Sequence, residues 1–275
     1  MASNMADLEI AYRIMATPDP SNASSALFPP AIPRSVAPSH PQVLGIYKPW
    51  FDSADPSVLN ACHDALSYYK SIGYNLVDIT IPYLAEGQLA HALTILSEIS
   101  TGILDLTGLT AANKILLAVG KQSPASDFLL AQKLRNLLMQ HLAFLFQSHP
   151  GLLIVTPTTP IAGWHISGGS ADLKHGVSDA NMSVRNMEYV WLANFTGCPA
   201  LSVPVGRVPA KEGEGRIPVG LMAMAEWGAE DDLIEWGKAG EQWAWEDETR
   251  MGRAEGWVDV LEAAKAVEKA VESKL

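Results

Sequence analysis

Two stretches of this 275-residue chain hold residue types that could do chemistry. The first is the segment 163–183, GWHISGGSADLKHGVSDANMS, where Ser167, Ser170, His165, Asp172, Lys174 and His175 share one loop. A serine becomes a nucleophile when a base takes its proton and backbone N–H groups face the developing oxyanion. Ser170, His165 and Asp172 supply the types of a Ser, His, Asp triad, although any serine-rich loop with one histidine would offer as much. Lys174 sits four residues from Ser170 in an exposed-looking loop. Its pKa there stays near the ordinary ~10.4, and a charged lysine cannot act as the base. His165 and His175 lie too far apart in sequence to read as a metal-ligand pair, and no strand-to-helix turn makes Gly168 and Gly169 a nucleotide fingerprint.

The second stretch is Thr156-Pro157-Thr158-Thr159-Pro160, with Trp164 just beyond it. Three hydroxyls can orient a polar group and an indole can wall an apolar one. The short apolar run 152–155 ahead of them reads as a buried strand. Ligands of α/β sheets sit beyond the carboxyl ends of strands, so Thr156, Thr158, Thr159 and Trp164 are the candidate substrate-binding residues. The plainer account is that the Thr-Pro repeats only end the strand. Cys62 and Cys198 form no CxxC pair and suggest neither a disulfide framework nor zinc. Cys198, before Pro199 and without a nearby cation or histidine in sequence, reads as a small buried residue rather than a reactive thiol.

These stretches need a scaffold, and the periodicities supply one. Residues 6–15 form a short amphipathic helix, and the seven prolines of 17–41 exclude regular structure there. A strand at 43–47 leads to Asp55-Pro56, an N-cap acceptor followed by proline at the first helical position. Val58, Cys62, Leu66 and Tyr69 share one face of that helix, Gly73 closes it, and Leu76, Ile79 and Ile81 mark the next strand. Strand, helix, strand at this spacing implies parallel pairing. Leu89, Leu93 and Leu96 predict one helical stripe. A longer one runs through Leu130, Leu134, Leu138, Leu142 and Leu145, with His141 as a partly buried member. Met187, Val190, Trp191 and Phe195 predict a helix ended by Gly197. Leu201, Val203 and Val205 alternate as a strand should, and 217–225, apolar on both faces, belongs inside a sheet. Glu230, Asp231 and Asp232 open the next helix, where they oppose the positive end of its dipole. Leu261, Ala264, Val267, Val271 and Leu275 line one side of a last helix over 257–275.

With 48% hydrophobic and 18% charged residues the chain can bury a real core, and a net charge of −11 argues against a nucleic-acid partner. No stretch approaches the ~20 apolar residues of a membrane span, and no signal peptide is visible at Met1. The expectation is a cytoplasmic protein.

The order of several blocks carries a resemblance. Asn194-Phe195-Thr196-Gly197-Cys198-Pro199-Ala200, then Val203-Pro204-Val205-Gly206, then Pro218-Val219-Gly220-Leu221 resemble the C-terminal half of the amidase signature family. Thr156 to Pro160 and the opening Met1-Ala2-Ser3-Asn4-Met5-Ala6-Asp7-Leu8 fit the same pattern. The resemblance implies a mixed α/β sheet covered by helices, spanning residues 1–245; beyond it the match fades, and 246–275 reads from its own periodicity as a helical extension packed on that body. The resemblance also implies hydrolysis of carbon–nitrogen amide bonds through an acyl-enzyme, with a Ser, cis-Ser, Lys triad and no metal or organic cofactor. In the family that triad precedes the block matching Met1, so Met1 would be an internal methionine and this chain the body without the chemistry. Ser167 to Ala171 spells part of the family's serine-rich signature, but it follows the Thr156 block and continues into Asp172, Leu173 and Lys174. By resemblance Thr156, Thr158, Thr159 and Trp164 lie beside the acyl pocket of a small-molecule amide substrate. Alternatives are a non-catalytic binding or scaffold protein and a serine hydrolase using Ser170. A homo-oligomer is left open.

Overall fold

A computed structural model describes residues 1–28, 31, 42–164, 179–211 and 215–246. Among these the chain forms a five-stranded mixed sheet of order β2-β1-β3-β5-β4. β1 (Val43–Ile46) pairs in parallel with both β2 (Asn75–Asp78) and β3 (Leu152–Pro157). β5 (Arg216–Met224) runs antiparallel to β3 on one side and to β4 (Ala200–Pro209) on the other. The parallel strand–helix–strand unit and the interior position of the doubly apolar β5 match the sequence reading. Ile79 and Ile81 fall past the end of β2, yet both are buried.

One face of the sheet is closed tightly. It is covered by α3 (Pro56–Ser71), which follows the short α2 (Lys48–Phe51), and by the helix Glu230–Glu246, with α1 (Met5–Met15) packed on the latter. Two glycines permit the approach: a Cβ on Gly237 would lie 2.6 Å from Leu201, and one on Gly240 would overlap the Tyr69 hydroxyl. Tyr69 stacks on Trp236 at 5.4 Å and donates to the Trp236 carbonyl at 3.0 Å. α1 is capped by Asn4, whose side chain accepts from the Asp7 amide at 2.8 Å. Arg13 bridges to Asp231 of the C-terminal helix at 2.5 Å. Asp55, at the start of α3, makes no capping bond through its side chain as the sequence suggested. Its backbone N–H instead donates to the Pro160 carbonyl at 2.8 Å, which ties α3 to the end of β3.

After β2 come α4 (Leu84–Gly102), α5 (Ala111–Gly120) and α6 (Ala125–Ser148). The leucine stripe expected on α4 is corrected here. Leu89 is exposed, Leu93 and Leu96 are only half-buried, and the buried face is Gly87, Ala90, His91 and Thr94. Close packing explains the rotation. Trp191 lies where a Cβ of Gly87 would be, Thr94 accepts from Gln132 at 3.0 Å, and His91 meets Phe195 edge-on. On α6 the stripe holds for Leu138, Leu142 and Leu145, while Leu130 is exposed. His141 is half-buried as expected, with Nε2 2.6 Å from the Thr80 carbonyl. The helix expected through Met187 to Phe195 begins only at Trp191: α7 (Ala180–Asn186) stops before it, a turn spans 187–190, and α8 (Trp191–Thr196) follows. Tyr189 in that turn donates to the carbonyls of Trp50 and Phe51, which breaks the helix to fill the core. Gly197 ends α8 with φ of 78°, as read from the sequence. The C-terminal helix Glu230–Glu246 is α9; the helix expected over 257–275 lies outside the described residues.

Candidate functional site

β3 is buried along its whole length because five apolar or β-branched residues lead into Pro157. Its pairing with β5, and the pairing of β5 with β4, set out three cross-strand rows on the sheet face opposite α3 and α9. They are Ile154, Met224 and Ala200; Thr156, Met222 and Ser202; and Thr158, Gly220 and Pro204. The β3 end of each row is more buried than the β4 end. Ile154, Thr156, Met222 and Met224 are buried, Thr158 and Gly220 half-buried, and Ala200, Ser202 and Pro204 exposed.

Within these rows two hydroxyls meet. Thr158 Oγ1 and Ser202 Oγ are 2.5 Å apart, reaching over Gly220. A Cβ on Gly220 would lie 2.6 Å from the first and 2.9 Å from the second, so any side chain there would force the pair apart. The Gly220 carbonyl is held from the side, accepting from the Thr158 amide at 2.8 Å and from the Cys62 thiol at 3.9 Å. One strand row back, the Thr156 hydroxyl is buried and has no hydrogen-bond partner. A pair of linked hydroxyls always retains one O–H to donate and lone pairs to accept. No side chain in the three rows is charged, so the face suits a neutral polar group beside an apolar one.

The sequence candidates divide. Thr156 and Thr158 lie on this face. Thr159 donates to the Ile161 carbonyl at 2.8 Å, so its hydroxyl holds the turn after β3. Trp164 is 39% exposed, an open aromatic surface six residues beyond Thr158. Ser167, Ser170, His165, Asp172, Lys174 and His175 lie outside the described residues. Ser202 and Gly220 were missed as site residues. Ser202 sits on the alternating strand and Gly220 in a family block, but nothing local to either announces a partner near residue 158.

Burial pushes the Cys62 thiol up to about 12 and Cys198 up to about 11, so both are held as thiols and are poor nucleophiles, as expected for Cys198. Burial also lowers the pKa of His91, whose Nε2 has no partner. Among the described residues no group of three His, Cys, Asp or Glu is placed to hold a metal ion. No helix among them is long and apolar enough to cross a membrane.

Comparison with known proteins bears on this arrangement. The family model described as Amidase matches residues 1–234. A fatty acid amide hydrolase from Medicago truncatula is 31% identical over 85% of this chain and 39% of its own length. Two solved structures share the fold. A vestigial protein complex said to reveal the evolutionary origins of an s-triazine catabolic enzyme aligns with a TM-score of 0.63 at 20% identity, over 86% of this chain and 51% of that one. A bacterial aryl acylamidase of the amidase signature enzymes aligns with a TM-score of 0.58 at 18% identity, over 78% and 46%. The chain spans about half the length of these relatives, or less.

Proposed function

Because this chain belongs to the amidase family, we propose that the protein it forms hydrolyses carbon–nitrogen amide bonds of small molecules, and that this chain supplies the sheet and a wall of the acyl pocket. The observation that carries the reading is the convergence of two family blocks on one spot. Thr158 from the Thr156–Pro160 block and Gly220 from the Pro218–Leu221 block meet at the end of β3, where Ser202, lying between two other blocks, bonds to Thr158. In this reading Thr156 and Thr158 present hydroxyls, Thr159 fixes the turn that sets their position, and Trp164 offers an apolar wall. The nucleophile and its lysine belong to the half of the family pattern that this sequence does not match. The expected chemistry is an acyl-enzyme route using neither metal nor organic cofactor, in a protein acting without nucleic acid.

The test is substrate discrimination by the polypeptide that joins this chain to a serine- and lysine-bearing half. Removing the indole by Trp164→Ala should lower kcat/KM for bulky acyl groups more than for small ones, by about 1–3 kcal/mol of discrimination. An equal change for every acyl group would place Trp164 outside the pocket. Absence of amide hydrolysis in that polypeptide would defeat the reading itself, leaving a binding or scaffold protein built on the fold.

A further inference from the structure

We propose that Ser273-Lys274-Leu275, carrying the free carboxyl group of this 275-residue chain, form an address that a peroxisomal import receptor reads. The inference goes beyond amide hydrolysis and does not depend on it.

Three observations combine. The first is the tripeptide itself. Ser-Lys-Leu ending in a carboxylate is a receptor-read peroxisomal signal, and each of its groups gives a receptor something separate to hold. Backbone N–H groups can capture the terminal carboxylate. A carboxylate wall suits the Lys274 ammonium, and an apolar hollow suits the Leu275 side chain. The second observation is where the tripeptide lies. The Amidase match ends at residue 234 and the last described helix, α9, ends at Glu246. The tripeptide is therefore outside the family body and outside every described element, so reading it takes nothing from the sheet or from the candidate site. The third observation is that the competing role for Leu275 can be separated. Leu275 also ends the apolar stripe of Leu261, Ala264, Val267 and Val271, whereas Ser273 and Lys274 are polar and add nothing to it. Packing needs the leucine side chain and is indifferent to a residue placed after it. An address needs the carboxylate on Leu275 itself. Such an address acts on a protein made in the cytosol and calls for no N-terminal leader, so it moves the expected site of action from the cytoplasm into the organelle.

The experiment follows the full chain, with a fluorescent protein joined ahead of Met1, in cultured eukaryotic cells whose peroxisomes carry a second colour. The parent chain should coincide with the peroxisomal marker and resist added protease until the organelle membrane is dissolved. In cells lacking the import receptor it should spread through the cytosol, which separates import from clumps of aggregated protein. One glycine added after Leu275 keeps every side chain and moves only the carboxylate. That extension should abolish import and weaken binding of the purified chain to the purified receptor by about tenfold or more, with the melting temperature unchanged. Lys274→Arg keeps the cation and should retain import. Mass spectrometry of the endogenous protein should find a C-terminal peptide that ends at Leu275. A parent chain that stays in the cytosol, import undiminished by the added glycine, or an endogenous peptide that continues past Leu275 overturns the inference. None of these outcomes touches the amide-hydrolase reading, which fails on absence of hydrolysis.

Discussion

The two helical layers of this molecule treat their apolar residues in opposite ways. Between the sheet and α3 and α9, large aromatics are sealed: Tyr69 and Trp236 stack fully buried, and glycines at 237 and 240 let the backbone close on the strands. In the layer α4, α5 and α6, the small and polar side of α4 is buried, with Gly87, His91 and Thr94 inside. Leu89, Ile115, Leu116, Leu129, Leu130 and Phe144 meet solvent. The first layer is therefore complete as a core. The second leaves several large apolar side chains exposed. The charges differ in the same sense. Residues 84–148 hold four acidic and four basic side chains, whereas the whole chain carries −11. A neutral, apolar layer has no electrostatic barrier to being covered.

This contrast can be broken by truncation. Trp236→Ala should cost about 3–5 kcal/mol, because it empties a fully buried aromatic site. Leu130→Ala on the exposed layer should stay within about 0.5 kcal/mol. Urea unfolding of both variants reads the difference, and similar losses would mean the α4–α6 layer is packed after all. A smaller effect concerns the exposed surface itself. Replacing Leu116 and Leu130 together with glutamine should cut binding of a hydrophobic dye by about half or more without lowering the unfolding midpoint. Undiminished dye binding would place the open surface elsewhere.

The smallest effect is titration of His91. Burial lowers its pKa in the folded chain below the ordinary 6.5. The unfolded chain therefore takes up the proton first as pH falls. The contribution is fully present above about 6.5 and is lost as pH drops below it. Melting temperature should fall between pH 7 and pH 5, and His91→Leu should flatten that part of the fall. Because His91 Nε2 has no partner, the leucine forfeits no hydrogen bond there. An unchanged slope in the variant would mean His91 is hydrated or paired in solution.

The contrast between layers also explains what could be read from sequence. Where neighbours in space follow from one element's own pattern, reading succeeded. The alternation of Leu201, Val203 and Val205, the apolar run of β3 and the stop at Gly197 all report local rules. On α4 the leucines spelled a stripe, but the helix turned its small residues inward so that Trp191 could lie against Gly87. That choice is made by a partner about a hundred residues away, and leucine spacing cannot reveal it. The turn at Tyr189 is similar, since its hydroxyl answers to carbonyls of Trp50 and Phe51. At the candidate site Thr156 and Thr158 were legible from the strand end. Ser202 was not, because its approach to Thr158 depends on β5 lying between β3 and β4 with Gly220 at the crossing.

We propose that this chain, a member of the amidase family, supplies part of the body of an amide hydrolase and that the activated nucleophile comes from outside it. Fluorophosphonate labelling of the purified 275-residue chain, beside its Ser170→Ala variant and with a panel of aryl amides, tests it most directly. Triad removal leaves only weak residual catalysis, so neither labelling nor turnover should appear in either protein. Labelling or turnover in the parent that disappears in Ser170→Ala would contradict the claim and make the loop serine a true nucleophile.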